Sequence, residues 1–266
     1  MTNRPRPPAP SELAPSVRTL VRLEEADRLG SPDLSEFFNP FLAHFVHEAV
    51  EGRLDVRVAE REGRVVGIST YDVVENVGAI FARDPTVAET LFGLCPAGSV
   101  FSDFPFGTGS EAYDVYSMAL NGGEPAHRFS HRLRIADQGD RDAVLDLMGR
   151  LYGRVRGDWI RGIPRTQEPC FLAEVDGEIA GVGWVTALRE EGRLHALSVR
   201  PRYRRMGVGI DLWHARMLWA RRVGVRRVIC EIGEHNAPSR AIATAGGMHP
   251  VGRIFLSHRP VGPSGA

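Results

Sequence analysis

The stretch Leu194-His195-Ala196-Leu197-Ser198-Val199-Arg200-Pro201-Arg202-Tyr203-Arg204-Arg205-Met206-Gly207-Val208-Gly209 decides the fold. It opens as a strand, passes through an arginine-rich loop and enters a helix with two glycines at its start. Beyond it Ile210, Trp213, Met217 and Ala220 recur at helical spacing, which predicts an amphipathic helix over 208–222. Such a junction suits an anion, because the first turn of a helix has N–H groups without intrahelical partners and carries the positive end of the macrodipole. Gly207 and Gly209 remove the Cβ atoms that would hold a pyrophosphate away, and Arg204 and Arg205 can add charge-assisted bonds. Arginine-rich loops are also often just solvated, so the surroundings must give this one its meaning.

Those surroundings read as mixed α/β. Upstream, 171–175 and 178–185 are predicted strands about the turn Asp176-Gly177, and 193–199 is the next strand after Glu191-Gly192. Downstream come a β-branched strand over 228–232, a helix over 237–245 closed by Gly246-Gly247, and a last strand over 251–257.

Arg204-Arg205-Met206-Gly207-Val208-Gly209 resembles the coenzyme A signature of the GNAT acyltransferases, Arg/Gln-x-x-Gly-x-Gly/Ala at a strand-to-helix junction. Leu197 to Tyr203 looks like the strand end and loop before that signature. Asn236 to Met248 is similar to the family's Asn-x-x-Ser/Ala helix, with Met248 in place of an aromatic residue. The register holds from about 132 to 258. The resemblance implies an α/β fold of the α+β mixed-sheet kind, a GNAT-like acyltransferase fold that uses acetyl-CoA or another acyl-CoA as cosubstrate and no metal. It implies a sheet splayed between the strand ending near Val199 and the strand over 228–232. Pantetheine would lie in that gap, paired to the backbone at Leu197, Ser198 and Val199. The pyrophosphate would rest on Met206, Gly207, Val208, Gly209 and Ile210, with Asn236 near the pantetheine arm.

Acyl transfer to an amine needs a neutral nucleophile, a proton acceptor and a stabilised oxyanion. His195 is the first candidate base: it sits on the coenzyme-side strand, and an imidazole titrates near neutral pH. Its place resembles that of a histidine in the arylalkylamine acetyltransferases. Glu231 and Glu234, at the end of the neighbouring strand, are the other catalytic candidates, and strand alternation puts Glu231 and Cys230 on opposite faces. Many GNAT enzymes have a tyrosine acid seven residues after the motif asparagine. Here that position is Ala243, which leaves Tyr203 and Tyr116 as substitutes or an unassisted thiolate departure.

The first half of the chain echoes the second. Val58 to Gly67 aligns with Leu172 to Gly181 at an offset of 114 residues, and Leu20-Val21-Arg22-Leu23 with Arg132-Leu133-Arg134-Ile135 at 112. Two tandem GNAT-like domains are therefore expected: a leader over 1–16, a degenerate domain over 17–126, a catalytic domain with the acyl-CoA site over 127–260 and a tail over 261–266. The first half has Arg83-Asp84-Pro85-Thr86 where the second has the glycine loop, so one coenzyme site is expected. Phe101, Phe104, Phe106, Tyr113 and Tyr116 offer aromatic surface for an acceptor wall, although core packing is the simpler use.

Charge narrows the partners. Lys plus Arg and Asp plus Glu are 33 each, so no global field favours nucleic acid or an anionic membrane. The acceptor expected is a small-molecule amine, with no nucleic acid and no membrane, in a monomer or homodimer. Three widely spaced cysteines without a CxxC pair suggest neither a disulfide framework nor zinc, and a cytoplasmic setting. Other acyl groups such as succinyl, and a non-catalytic acyl-CoA sensor, remain alternatives.

Overall fold

The structure is a computed structural model that describes residues 15–19, 55–72, 76–107, 109–121, 127–152, 168–188 and 190–259. Leader residues 1–14, the echo at Leu20 to Leu23 and the tail over 261–266 lie outside the described residues. Ser16, assigned to the leader, begins a strand. Contacts divide the chain into two compact units, one of Met1–Glu111 with Ile254–Ala266 and the other of Ala112–Arg253.

In the first unit β1 (Ser16–Thr19), β2 (Asp55–Arg61), β3 (Arg64–Asp72) and β4 (Val77–Ala82) run antiparallel in sequence order. The helix α1 (Pro85–Leu94) then returns the chain so that β5 (Ser99–Ser102) lies parallel to β4. Residues Phe255 to His258, at the end of β12 (His249–His258), pair with β5. Val66, Ile80, Val87, Leu91 and Val100 belong to this unit's core.

The second unit contains β6 (Glu111–Ala119) from residue 112, β7 (Arg132–Ile135), α2 (Arg141–Tyr152), β8 (Cys170–Val175), β9 (Glu178–Leu188), β10 (Glu191–Val199), α3 (Val208–Arg222), β11 (Arg227–Gly233) and α4 (Ala237–Ala245). Its strands stand in the order β6-β11-β10-β9-β8-β7, and only β10 and β11 are parallel. One face buries Leu194, Val228 and Cys230 with Leu212, Trp213 and Met217 of α3 and Ala243 of α4. The other buries Leu172, Val182 and Trp184 with Val144, Leu147 and Met148 of α2. Among the described residues no helix is long and apolar enough to cross a membrane.

The sequence reading separates two domains between residues 126 and 127, whereas the compact units divide after Glu111 and again after Arg253. Strand pairing explains the difference. The strand β6 pairs with β11 over seven residues, Tyr113 to Ala119. The last strand likewise completes the first unit. A strand joins whatever edge satisfies its N–H and C=O groups, and chain order does not fix that choice.

The internal echo is carried into three dimensions. In β2 and β3 Ala59 stands opposite Gly67, with a bulge after Ala59; in β8 and β9 Ala173 stands opposite Gly181, with a bulge after Ala173. Both hairpins turn through two left-handed residues, Glu62-Gly63 and Asp176-Gly177. The paired glycines share a purpose. A Cβ at Gly67 would lie 2.6 Å from Val87 and 2.8 Å from Leu91, and one at Gly181 would lie 3.0 Å from both Val208 and Leu212. Each half thus seats its helix on a strand glycine through a valine and a leucine four residues apart. The first strand is the exception, since β1 at Ser16–Thr19 lies before the segment that the sequence echo selects.

Gly181→Ala tests this packing. Its Cβ would also stand 2.9 Å from the Ser198 carbonyl oxygen, and overpacking of this kind costs about 1–3 kcal/mol. Urea unfolding should show a loss in that range, and unchanged stability would contradict the packing described.

Candidate coenzyme and acyl-transfer site

The candidate site begins where two parallel strands part. Pairing of β10 with β11 covers Glu191, Gly192 and Arg193 against Arg227, Val228 and Ile229, whereas the strands continue to Val199 and Gly233. From Leu194 onward β10 is held on its other edge by β9, with a register shift between His195 and Ser198 and a left-handed φ of 50° at Ala196. Leu197 and Val199 remain half-buried against the α3-side core, and Ser198 is buried on the opposite face.

Beyond Val199 the arginine run divides by function. Arg200 donates from Nε to the Ile179 carbonyl at 2.8 Å, and Arg202 pairs with Glu178, which also accepts from the Tyr203 hydroxyl at 2.8 Å. Those residues brace the loop. Arg204 is exposed, with its Nε 3.2 Å from the Val199 carbonyl, and Arg205 is exposed with no partner among the described residues.

Gly207 caps α3 in the left-handed region, with φ 89° and no side chain closing the helix end. Ile210 and Asp211 donate to its carbonyl, each at 3.0 Å, so the N–H groups of Val208 and Gly209 lack partners within the helix. Glycine is needed at 207 for its φ. At 209 there is a packing need beside the anion approach expected from sequence: a Cβ there would stand 3.1 Å from Ile242 of α4. Met206 and Ile210 expose apolar side chains beside this turn.

A buried carboxylate steadies the same turn. Asp211 is 2% exposed and binds His127 Nε2 and His131 Nδ1, each at 2.7 Å, and the N–H groups of Ser130 and His131. Burial pushes its carboxyl up, but the bonds from His127, His131 and Ser130 outweigh that and hold it below the ordinary carboxylate range. The clasp brings the His131 ring within 3.7 Å of a Cβ position on Gly207.

On the α2 side of the sheet, His195 stands opposite Trp184. Its Nε2 is 2.9 Å from Thr186 Oγ1 and 3.3 Å from Glu168 Oε1. Burial and neighbouring Arg193 outweigh Glu168 and Glu231 and lower the imidazole below its usual range, so it is neutral at pH 7. Glu231 is not a free base: its carboxylate takes Arg193 Nε at 3.1 Å and Nη2 at 3.2 Å, with 6% of the side chain exposed. Glu234 is half exposed and 3.9 Å from Arg253. The Asn236 carboxamide accepts from Ser239 N–H at 3.2 Å and caps α4, so part of the residue's signature is helix structure.

Several site residues escape the sequence reading. Glu168 and Thr186 reach His195 from outside the motif, and Arg193 lies two residues before it on the same face. Arg216 of α3 is fully buried, donating to the carbonyls of Leu212, Trp184 and His195 at 3.1, 3.2 and 3.4 Å. Burial lowers its guanidinium to about 10, which leaves it charged at neutral pH. Its only sequence signal is a charge on the apolar face of a helix. Ala243 is buried in the α3-side core, Tyr116 is buried in the same core, and Tyr203 is occupied by Glu178.

The corresponding junction in the first unit is built differently. All four residues of β5 pair with β4, and Asp84 caps α1 by accepting the Val87 N–H at 3.0 Å while binding Arg61 at 3.1 Å. Pro85 follows as the first helical residue. Phe104 and Phe106 pack on that unit's own core, and Phe106 stacks on Phe92 at 4.1 Å. Calorimetric titration with acetyl-CoA should accordingly give one equivalent per chain. Arg205→Ala removes a charged donor worth about 1.5–3 kcal/mol and should weaken binding roughly 10- to 150-fold. A second equivalent surviving that substitution would contradict the assignment.

Residues 144–246 match the Acetyltransferase (GNAT) family, and no curated protein is matched by the sequence. A GCN5-related N-acetyltransferase from Sphaerobacter thermophilus is 14% identical with a TM-score of 0.60, covering 92% of this chain and 96% of its own. A tandem GNAT protein from the clavulanic acid biosynthesis pathway is 16% identical with a TM-score of 0.57, covering 94% and 100%. An acetyltransferase of the GNAT family from Colwellia psychrerythraea is 14% identical with a TM-score of 0.58, covering 92% and 100%. The chain therefore has the mixed α/β fold of the GNAT acetyltransferases, in an arrangement consistent with two tandem GNAT-like domains.

Proposed function

We propose that this chain is an acyl-CoA-dependent N-acyltransferase that moves an acetyl group from acetyl-CoA to a small-molecule amine through its second unit. The observation that carries the reading is the parting of β10 and β11 beside the uncapped start of α3. The opened strand edge suits the amides of pantetheine, and the Val208 and Gly209 N–H groups with Arg204 and Arg205 suit a diphosphate. The first unit, with its paired strands and Asp84 cap, is assigned no coenzyme. Three free, buried cysteines fit a reducing compartment such as the cytoplasm.

In the reaction proposed, the amine nitrogen forms a bond to the thioester carbonyl carbon while the carbon–sulfur bond breaks and its electron pair leaves with sulfur. The proton lost by the amine passes to His195, which is neutral and faces the side of the sheet opposite α3. Glu231 acts through Arg193 by fixing the last rung before the strands part, and Glu234 has no assigned proton-transfer role. No tyrosine is needed as acid, because a thiolate is a good enough leaving group to depart without one. A sensor without catalysis is the second reading, favoured by the buried Ala243 at the usual acid position.

Thiol release from acetyl-CoA with a panel of arylalkylamines, polyamines and amino acids, followed by mass spectrometry of the products, tests the assignment. Acetylated amine is expected, and acetyl-CoA binding without turnover on any amine would favour the sensor. His195→Ala should lower kcat/KM by roughly 10²- to 10⁴-fold, the usual worth of a general base. Wild-type turnover at all pH values would remove His195 from the mechanism.

A further inference from the structure

Two side chains meet one nitrogen of His195. Glu168, two residues before β8, and Thr186 on β9 both approach Nε2, and the Thr186 hydroxyl is itself 3.3 Å from Glu168 Oε1. Among the described residues nothing bonds to Nδ1. Glu168 and Thr186 are 17% exposed at the side chain and buried, respectively. The triangle is therefore enclosed, and its geometry constrains the imidazole more tightly than packing alone.

Resting on the reading of His195 as base, we propose that Glu168, with Thr186, is the positioning residue that holds His195 in the Nε2–H tautomer and so presents the Nδ1 lone pair to the acceptor amine. The reason lies in donor chemistry. A hydroxyl can donate or accept, so Thr186 alone is compatible with either tautomer. An ionised carboxylate only accepts. With Glu168 in place, Nε2 must carry the hydrogen, Thr186 directs its own hydrogen to Glu168, and the remaining nitrogen is the unprotonated one. When the amine attacks, its proton goes to Nδ1, and the imidazolium that forms is stabilised by the carboxylate already bonded to the opposite nitrogen. The proton then returns to solvent or to the departing thiolate, restoring the neutral ring.

The charged groups around the ring are Glu168 before β8, Arg193 on β10, Glu231 on β11 and Arg216 on α3, which reaches the His195 carbonyl. Arg193 and Glu231 are paired with each other, so Glu168, 3.3 Å from Nε2, is the carboxylate that meets the ring directly. Its hydrogen bond and charge raise the imidazole, against the larger effect of burial. The sign follows: neutralising Glu168 should lower the His195 titration further, and the acid limb of kcat/KM should move to lower pH. At the plateau kcat/KM should fall by about 10- to 100-fold, part of what a general base contributes. A purely structural role would reduce activity without moving that limb.

Long-range proton–nitrogen NMR of the full chain reads the tautomer without any acceptor, with His195→Ala supplying the assignment. The wild type should show a pyrrole-type Nε2 and a pyridine-type Nδ1. In Glu168→Gln, whose amide can also donate, the two nitrogens should average or exchange character, and Thr186→Val should retain the wild-type tautomer. Unchanged nitrogen shifts and an unchanged pH profile in Glu168→Gln would overturn the proposal. If the tautomer depends on Glu168 but His195→Ala turns over the amine panel like wild type, the base assignment fails while the tautomer control stands, so the two failures are separable.

Discussion

The second unit depends on one event, the parting of β10 and β11 after Arg193 and Ile229. A parallel pair that stops bonding while both strands continue leaves backbone groups that need another partner. Here the opening is held from three sides. The bidentate Arg193–Glu231 pair clamps the last rung on one face. Arg216 reaches the His195 carbonyl, two residues past the last rung of β10, from α3 below the other face. The strand β6 holds the far edge of β11 in continuous register, so that β11 cannot follow β10. In the first unit the far edge of β5 is likewise held, by β12, yet the parallel pair of β4 and β5 remains closed along all of β5.

Buried charge accompanies the opening. Breaking a buried ion pair costs about 3–5 kcal/mol, because the partner left behind is an uncompensated charge. Pairs such as Arg193–Glu231 are therefore stronger evidence for a fixed geometry than for stability. The same logic applies to Asp211, whose four bonds tie residues 127–131 to the first turn of α3. That turn must hold its N–H groups in place without a ligand. The clasp and the left-handed Gly207 give it rigidity where no side chain caps it.

What was legible in the sequence was local. The helix over 208–222 announced itself by apolar spacing and a glycine start, and α4 by Asn236 at its cap and glycines at its close. The Asp176-Gly177 turn fixed a hairpin because two left-handed residues in succession favour Gly, Asn and Asp. The duplication was legible too, through Val58 to Gly67. What was hidden was nonlocal. Nothing in Glu111 to Ala119 says that the strand joins β11, because an edge is chosen by hydrogen bonding in three dimensions. The packing of Gly209 against Ile242 is equally invisible, because Ile242 comes from a later helix. Glu168 could not be found from the motif, since it meets His195 only through the pairing of β8, β9 and β10. The ion pair of Glu231 with Arg193 is nonlocal too, since it forms only where β10 and β11 lie side by side.

In the function proposed, the opening between β10 and β11, with the start of α3, holds the coenzyme. Hydrogen–deuterium exchange of the intact chain, with and without acetyl-CoA, tests this most directly. Binding should slow exchange of amides in 194–199 and 206–210, which hold the open edge of β10 and the start of α3, and leave 77–82 and 84–88 unchanged. Protection centred on 84–88, or saturating acetyl-CoA that leaves 206–210 unprotected, would contradict it.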